Sequence, residues 1–223
     1  MTYGPRNERF PAKVFRQLKH WPASLGLSLL TACASAPGSP VRATEALAAG
    51  RYAAAEAALD TLIRAAPDSA ALWLRLRGYC RIQRGQARAA VADYDQSLAL
   101  DPADAITWHD RGMARYELSE LAAAGRDYDQ ALKLEPRRAA TYLSRGLLYM
   151  REQRYRPALL DLHRALALGD TANASAFNLK GYCELQTGAL TAAVASFDHA
   201  LILDSAYPDA RAHRAEALRL LAE

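Results

Sequence analysis

The chain has 223 residues, 51% of them hydrophobic and 23% charged, with a formal net charge of +4. The charge is unevenly placed: residues 1–32 hold five Lys/Arg and one acid, so of 28 basic and 24 acidic side chains, 23 of each remain beyond residue 32. A stretch balanced in this way offers no bulk attraction to nucleic acid or anionic lipid, which excludes nucleic acid as the expected partner, while its length suits one sizeable core or a short solenoid.

The first predicted element is a leader over residues 1–32. Arg6, Arg9, Lys13, Arg16 and Lys19 precede an apolar segment from Trp21 to Leu30. That segment falls well short of the ~20 apolar residues a helix needs to cross a bilayer, and its order, basic then apolar then small, is that of a secretory signal. It ends in Leu30-Thr31-Ala32-Cys33, which resembles the signal of bacterial lipoproteins. The resemblance implies cleavage before Cys33, a diacylglyceryl group on its sulfur, and an acyl chain such as palmitate on the new amino terminus. Two or more chains anchor stably where one does not. By the same resemblance, Ala34 in place of an aspartate implies the periplasmic face of the outer membrane. Residues 33–40, with Pro37, Gly38 and Pro40, read as the lipidated terminus and a short linker. A conventional cleavage among Ala32, Ala34 and Ala36, giving a non-lipidated secreted chain, is one alternative, and an uncleaved leader with the rest of the chain in the cytosol is another; the long basic stretch also suits a translation start later than Met1.

An internal repeat follows. Residues 78–101 and 181–204 align without a gap and match at 13 of 24 positions. Between them, Gly78, Gly112, Gly146 and Gly181 are separated by 34, 34 and 35 residues, and Ala90, Ala124, Ala158 and Ala193 keep the same steps. Each copy contains two stretches with apolar residues at helical spacing, such as Val91, Tyr94 and Leu98. Asp101-Pro102 and Glu135-Pro136 end the second stretch, because proline lacks the amide proton and disfavours helix in the residue before it. Asp104 and Asn173 are placed to cap the helices that follow.

A period of 34 with these residues resembles the tetratricopeptide repeat. The copy starting at Ala105 carries the full pattern: Trp108, Gly112, Ala124, Tyr128, Ala131 and Pro136. The copies are expected at 71–104, 105–138, 139–173 and 174–207, after a degenerate one at 41–70 and before a capping helix at 208–223. The implied fold is all-α: a right-handed superhelix of antiparallel helix pairs over residues 41–223. One pair cannot bury its own apolar face, so stability would come from stacking on neighbours.

The resemblance also implies a binding groove, lined by the first helix of each repeat. Its candidate residues are Arg75, His109 and Asn178 at one repeat position; Tyr79, Met113, Leu147 and Tyr182 at a second; and Ile82, Tyr116, Met150 and Leu185 at a third. Such a row suits a helix or extended peptide with hydrophobic anchors, though the same positions also serve as core between neighbouring repeats. The expected partner is an envelope protein or peptide segment: a pilus secretin, a barrel-assembly component or a cell-wall enzyme. An enzyme or enzyme platform acting on the cell wall is the alternative of a different class, with little chain left over for a catalytic domain. No histidine pairs with another His or Cys at metal-binding spacing, and no phosphate loop or nucleophile motif appears, so neither a cofactor nor a metal is expected. Cys80 and Cys183, at the same repeat position, are expected to be small buried residues. Asp95, Asp129 and Asp198, which also recur by position, read as inter-repeat salt bridges or solvated edges.

Overall fold

The computed structural model describes residues 39–169 and 173–223. The leader, Cys33 and the linker up to Gly38 lie outside the described residues, as do Asp170, Thr171 and Ala172. Eleven α-helices and one short 3-10 turn make up the regular structure among the described residues, with no strand, in agreement with the all-α class. They form two units, one ending at Gln86 and one beginning at Ala87.

In the first unit, α1 (Pro40–Ala48), α2 (Tyr52–Ala65) and α3 (Ala70–Gln83) follow one another, with the 3-10 turn Pro67–Ser69 before α3. The start of α1 is set locally. Ser39 Oγ accepts the Arg42 amide at 3.1 Å, and Pro40 fills the first turn, where a missing amide proton costs nothing. Gly50, at φ +67°, turns the chain from α1 into α2. Ala43, Leu47, Ala55, Leu59, Leu62, Trp73 and Cys80 form the core, with Tyr52 and Tyr79 packed at its margin. Small alanines let the helices approach closely, and Trp73, 2% exposed, fills the space they leave.

The second unit runs through α4 (Ala87–Leu100), α5 (Ala105–Glu117), α6 (Leu121–Leu134), α7 (Ala139–Arg151), α8 (Tyr155–Ala167), α9 (Ala174–Gln186), α10 (Leu190–Leu203) and α11 (Pro208–Leu221). Three helix pairs, α5/α6, α7/α8 and α9/α10, pack most tightly; each second helix also packs on the first helix of the next pair, and α10 packs on α11. The pairs close because a small residue on one helix meets a large one on the other. Gly112 faces Tyr128, Gly146 faces Leu162 and Gly181 faces Phe197. All three large side chains are at most 1% exposed, and burying each one is worth about 1.5–3 kcal/mol.

The junctions follow from sequence. Asp104 caps α5 by accepting the Ile106 amide at 3.0 Å, and Asn173 caps α9 by accepting the Ala176 amide at 3.1 Å. The prolines that stop α4 and α6 have a second use. Trp108 Nε1 donates to the Pro102 carbonyl at 2.9 Å, and the Tyr142 hydroxyl donates to the Pro136 carbonyl at 3.2 Å. Each aromatic at the start of a repeat thus satisfies the backbone that ended the one before. Within pairs, the turns pass through a left-handed residue: Ser119 (φ 63°), Gln153 (φ 59°) and Gly188 (φ 79°).

Candidate functional site

A charge ladder joins the pairs of the second unit. Arg111, on α5, reaches back to Asp95 on α4 and forward with two nitrogens to Asp127 on α6. Arg115 adds a third contact to Asp127 at 2.8 Å. Arg145 repeats the arrangement one step on, with Asp129 at 2.6 Å behind it and Asp161 at 2.7 and 2.8 Å ahead. Arg214, on α11, takes Asp198 at 2.5 Å. Asp95, Asp129 and Asp198 are therefore inter-repeat salt bridges. At one seam the pattern changes. His163 stands on α8 where the other copies have aspartate, and Lys180 on α9 turns to its own repeat, donating to Glu184 at 2.6 Å and Ser196 at 2.7 Å. In the first unit, Arg77 pairs with Asp60 at 2.6 Å, while Glu56 accepts from Arg81 and Arg84.

The candidate row lies on the same first helices as the ladder arginines. In the second unit it consists of Met113 and Tyr116 on α5, Leu147 and Met150 on α7, and Tyr182 and Leu185 on α9. The first five are half-buried; Met113, Tyr116, Leu147 and Met150 rest on the core, and part of each remains accessible. Leu185 is interior, at 7% exposure. Tyr116 is covered by the Arg151 guanidinium, 4.9 Å from the ring centre, and Arg151 also donates to the Tyr116 carbonyl and the Ser119 hydroxyl. Tyr182 meets Tyr155 edge-on, ring centres 6.2 Å apart, and His213 at 5.2 Å. Burial, with Tyr155 beside it, raises the Tyr182 phenol above its ordinary pKa. In the first unit Tyr79 and Ile82 are half-buried, and Tyr79 meets Tyr52 edge-on at 6.1 Å.

The polar members of the set are interior. Arg75, His109 and Asn178 are 8%, 5% and 1% exposed. His109 Nδ1 lies 3.0 Å from Thr141 Oγ1 on α7, and its ring is 5.9 Å from that of Tyr128. Burial, with Arg138 adding, lowers its pKa to about 3, so this histidine is neutral at physiological pH. Asn178 Oδ1 lies 3.3 Å from His213 Nδ1, while its Nδ2 has no hydrogen-bond partner among the described residues. What remains accessible is thus mostly apolar and aromatic. Tyr155 and His213 were missed as neighbours of the row. The spacing of Tyr52 and Tyr79, repeated as Tyr155 and Tyr182, was the available signal.

Cys80 and Cys183 are reduced and buried. Burial pushes both thiols up to about 12, with Glu56 adding at Cys80 and Glu184 at Cys183. Among the described residues no group of His, Cys, Asp or Glu could hold a metal ion, and no helix is long and apolar enough to cross a membrane.

Paired helices that fit glycine against a large side chain, and repeat that fit along the chain, define a helical-repeat protein. The sequence matches the profile of the tetratricopeptide repeat over residues 41–105 and 143–211, and the chain belongs to that family. No curated protein matches its sequence. Solved structures do. A thermophilic tetratricopeptide repeat protein of Thermus thermophilus is 25% identical, with a TM-score of 0.63 over 82% of this chain and 99% of that one. YrrB, described as having an unusual peptide-binding site, is 19% identical, with a TM-score of 0.65 over 74% of this chain and 84% of its own. MamA from Desulfovibrio magneticus is 17% identical, with a TM-score of 0.66 over 74% of this chain and 93% of its own.

Proposed function

We propose that this protein is a non-enzymatic adaptor, tethered through lipid on Cys33 to the periplasmic face of the outer membrane, that holds a segment of another envelope protein. The observation that carries the adaptor reading is the half-buried row on α5, α7 and α9. Met113, Tyr116, Leu147, Met150 and Tyr182 present apolar surface on a scaffold whose Arg111, Arg145, Asp127 and Asp161 are paired with one another. Side chains anchored on one side and accessible on the other suit capture of a peptide or helix through its apolar residues. The peptide-binding site named for YrrB supports the same use of the fold. The anchor rests on Leu30-Thr31-Ala32-Cys33 and the basic, apolar and small order before it.

Two experiments test the two halves separately. A photo-crosslinking amino acid at Met113 or Met150, in intact cells, is expected to trap a discrete partner, while the same probe at exposed Arg126 traps none. Equal products from both positions would remove the row from the reading. Metabolic labelling with an alkyne palmitate analogue should mark the wild type and not Cys33→Ser. An unlabelled wild type that is nonetheless processed would overturn the tether and leave the adaptor reading intact.

A further inference from the structure

One turn of the second unit departs from its repeat. Residues 151–156, where α7 gives way to α8, hold three arginines and one acid. The matching stretch between α5 and α6, residues 117–122, holds two acids and no base, and the one between α9 and α10, residues 186–191, holds no charge. Arg151 stands where those copies have Glu117 and Gln186, Arg154 where they have Glu120 and Ala189, and Arg156 where they have Ala122 and Thr191. Pairing of the helices does not require these charges, since α5/α6 and α9/α10 close without them.

The three cations are incompletely neutralised. Arg151 is engaged by the Tyr116 carbonyl and the Ser119 hydroxyl, neither of which cancels its charge. Arg154 gives one nitrogen to Glu152 at 3.0 Å and lies over the Tyr149 ring, 4.6 Å from its centre, yet its side chain stays 55% exposed. Arg156 is exposed and pairs with no acid among the described residues. An open depression of about 330 Å³ lies at this turn, lined by Gln153, Arg154, Tyr155, Arg156, Pro157 and Thr187. It adjoins the row through Tyr155, which meets Tyr182 edge-on and packs against the same core cluster as Leu147 and Met150.

Building on the row as a peptide site, we propose that the segment it holds carries an aspartate or glutamate beside its apolar anchors, and that Arg154 and Arg156 take that carboxylate in the depression. A guanidinium presents a planar fork of donors that matches a carboxylate. Glu152 and Tyr149 hold Arg154 from one side and leave the rest of the fork to a partner. Positive charge beside an apolar strip also discriminates among hydrophobic segments that the strip alone would hold alike.

The probe is a library of random peptides, displayed with both ends fused so that no terminal carboxylate is present, and panned on the purified full chain. Recovered peptides are expected to combine an aromatic residue or leucine with an aspartate or glutamate. One of them, synthesised with capped ends and a fluorescein label, should bind about tenfold more weakly to Arg154→Glu with Arg156→Glu. The paired change to glutamine should give a smaller loss. Arg126→Glu with Arg137→Glu makes the same change in net charge at exposed positions elsewhere and should bind as the wild type does. Met113→Ser with Met150→Ser, which leaves the charge untouched, should weaken the same peptide. Peptides that need the two methionines but carry no acid, or that lose equally to both arginine reversals, overturn the proposal and leave the row standing. Acidic peptides indifferent to the methionine changes overturn the row as their seat, and the link to it fails with it. Recovery of no peptide overturns both.

Discussion

The fit of Gly112 against Tyr128 allows one substitution to be worked through. A Cβ at position 112 would lie 2.7 Å from Tyr128 Cε1 and 2.8 Å from Cδ1, about 1 Å inside the ~3.5–4.0 Å optimum for carbon contacts. The ring is 1% exposed, held within the core. Overpacking of this kind costs about 1–3 kcal/mol. Alanine returns about 0.5–1 kcal/mol through its better helix propensity. Gly112→Ala is therefore expected to destabilise by about 1–2 kcal/mol, or about 2–8 °C in melting temperature at this chain length. Gly146 supplies the internal control. Its Cβ would meet Leu162 Cγ at 3.3 Å and Cδ2 at 3.5 Å, and a leucine can give by a few tenths of an ångström, so Gly146→Ala should be neutral or slightly stabilising. Urea unfolding followed by circular dichroism measures both, and a double-mutant cycle with Tyr128→Leu should abolish the cost at 112. If Gly112→Ala proves as stable as the wild type, or Gly146→Ala costs as much as Gly112→Ala, the steric account of helix pairing is refuted.

Three further predictions follow from other sites. His109 is held neutral when folded, with its pKa lowered from 6.5 to about 3, so the unfolded chain gains a proton first and stability is lost as pH falls below 6.5. Between pH 6.5 and 4.5 the wild type should lose about 2–3 kcal/mol more than His109→Gln, read from urea midpoints; equal slopes would contradict a buried neutral ring. Asp127 is 2% exposed and receives two arginines, so Asp127→Ala should cost about 3 kcal/mol by stranding them. Asp129→Ala, at a rung whose acid is 62% exposed, should cost under about 1 kcal/mol, and reversal of that order by chemical denaturation would contradict the ladder's energetics. Gln153 sits at φ 59°, where a side chain costs about 1–2 kcal/mol; Gln153→Gly should raise stability by about 0.5–1 kcal/mol net of glycine's entropy, and a lower melting temperature would contradict that.

The helix pairs were legible because their determinants are local and periodic. A small residue and a large one sixteen positions apart recur at Gly112 and Tyr128, and again at Gly181 and Phe197, and the capping roles of Asp104 and Asn173 follow from their neighbours alone. The burial of the candidate residues was not legible. His109 and Asn178 look like polar spots on a surface, yet both are interior and each meets a side chain of a different repeat, Thr141 and His213. Partners 32 and 35 residues away leave no local mark in the sequence.

The interrupted rung at Lys180 bears on how such an array changes its number of copies. Wherever an arginine must meet an acid from the repeat before it, inserting or deleting a unit creates a new junction whose charges have to match. Between His163 and Lys180 no such match is required, since the lysine is satisfied within its own repeat. Gains and losses of copies in related chains should therefore concentrate at this seam.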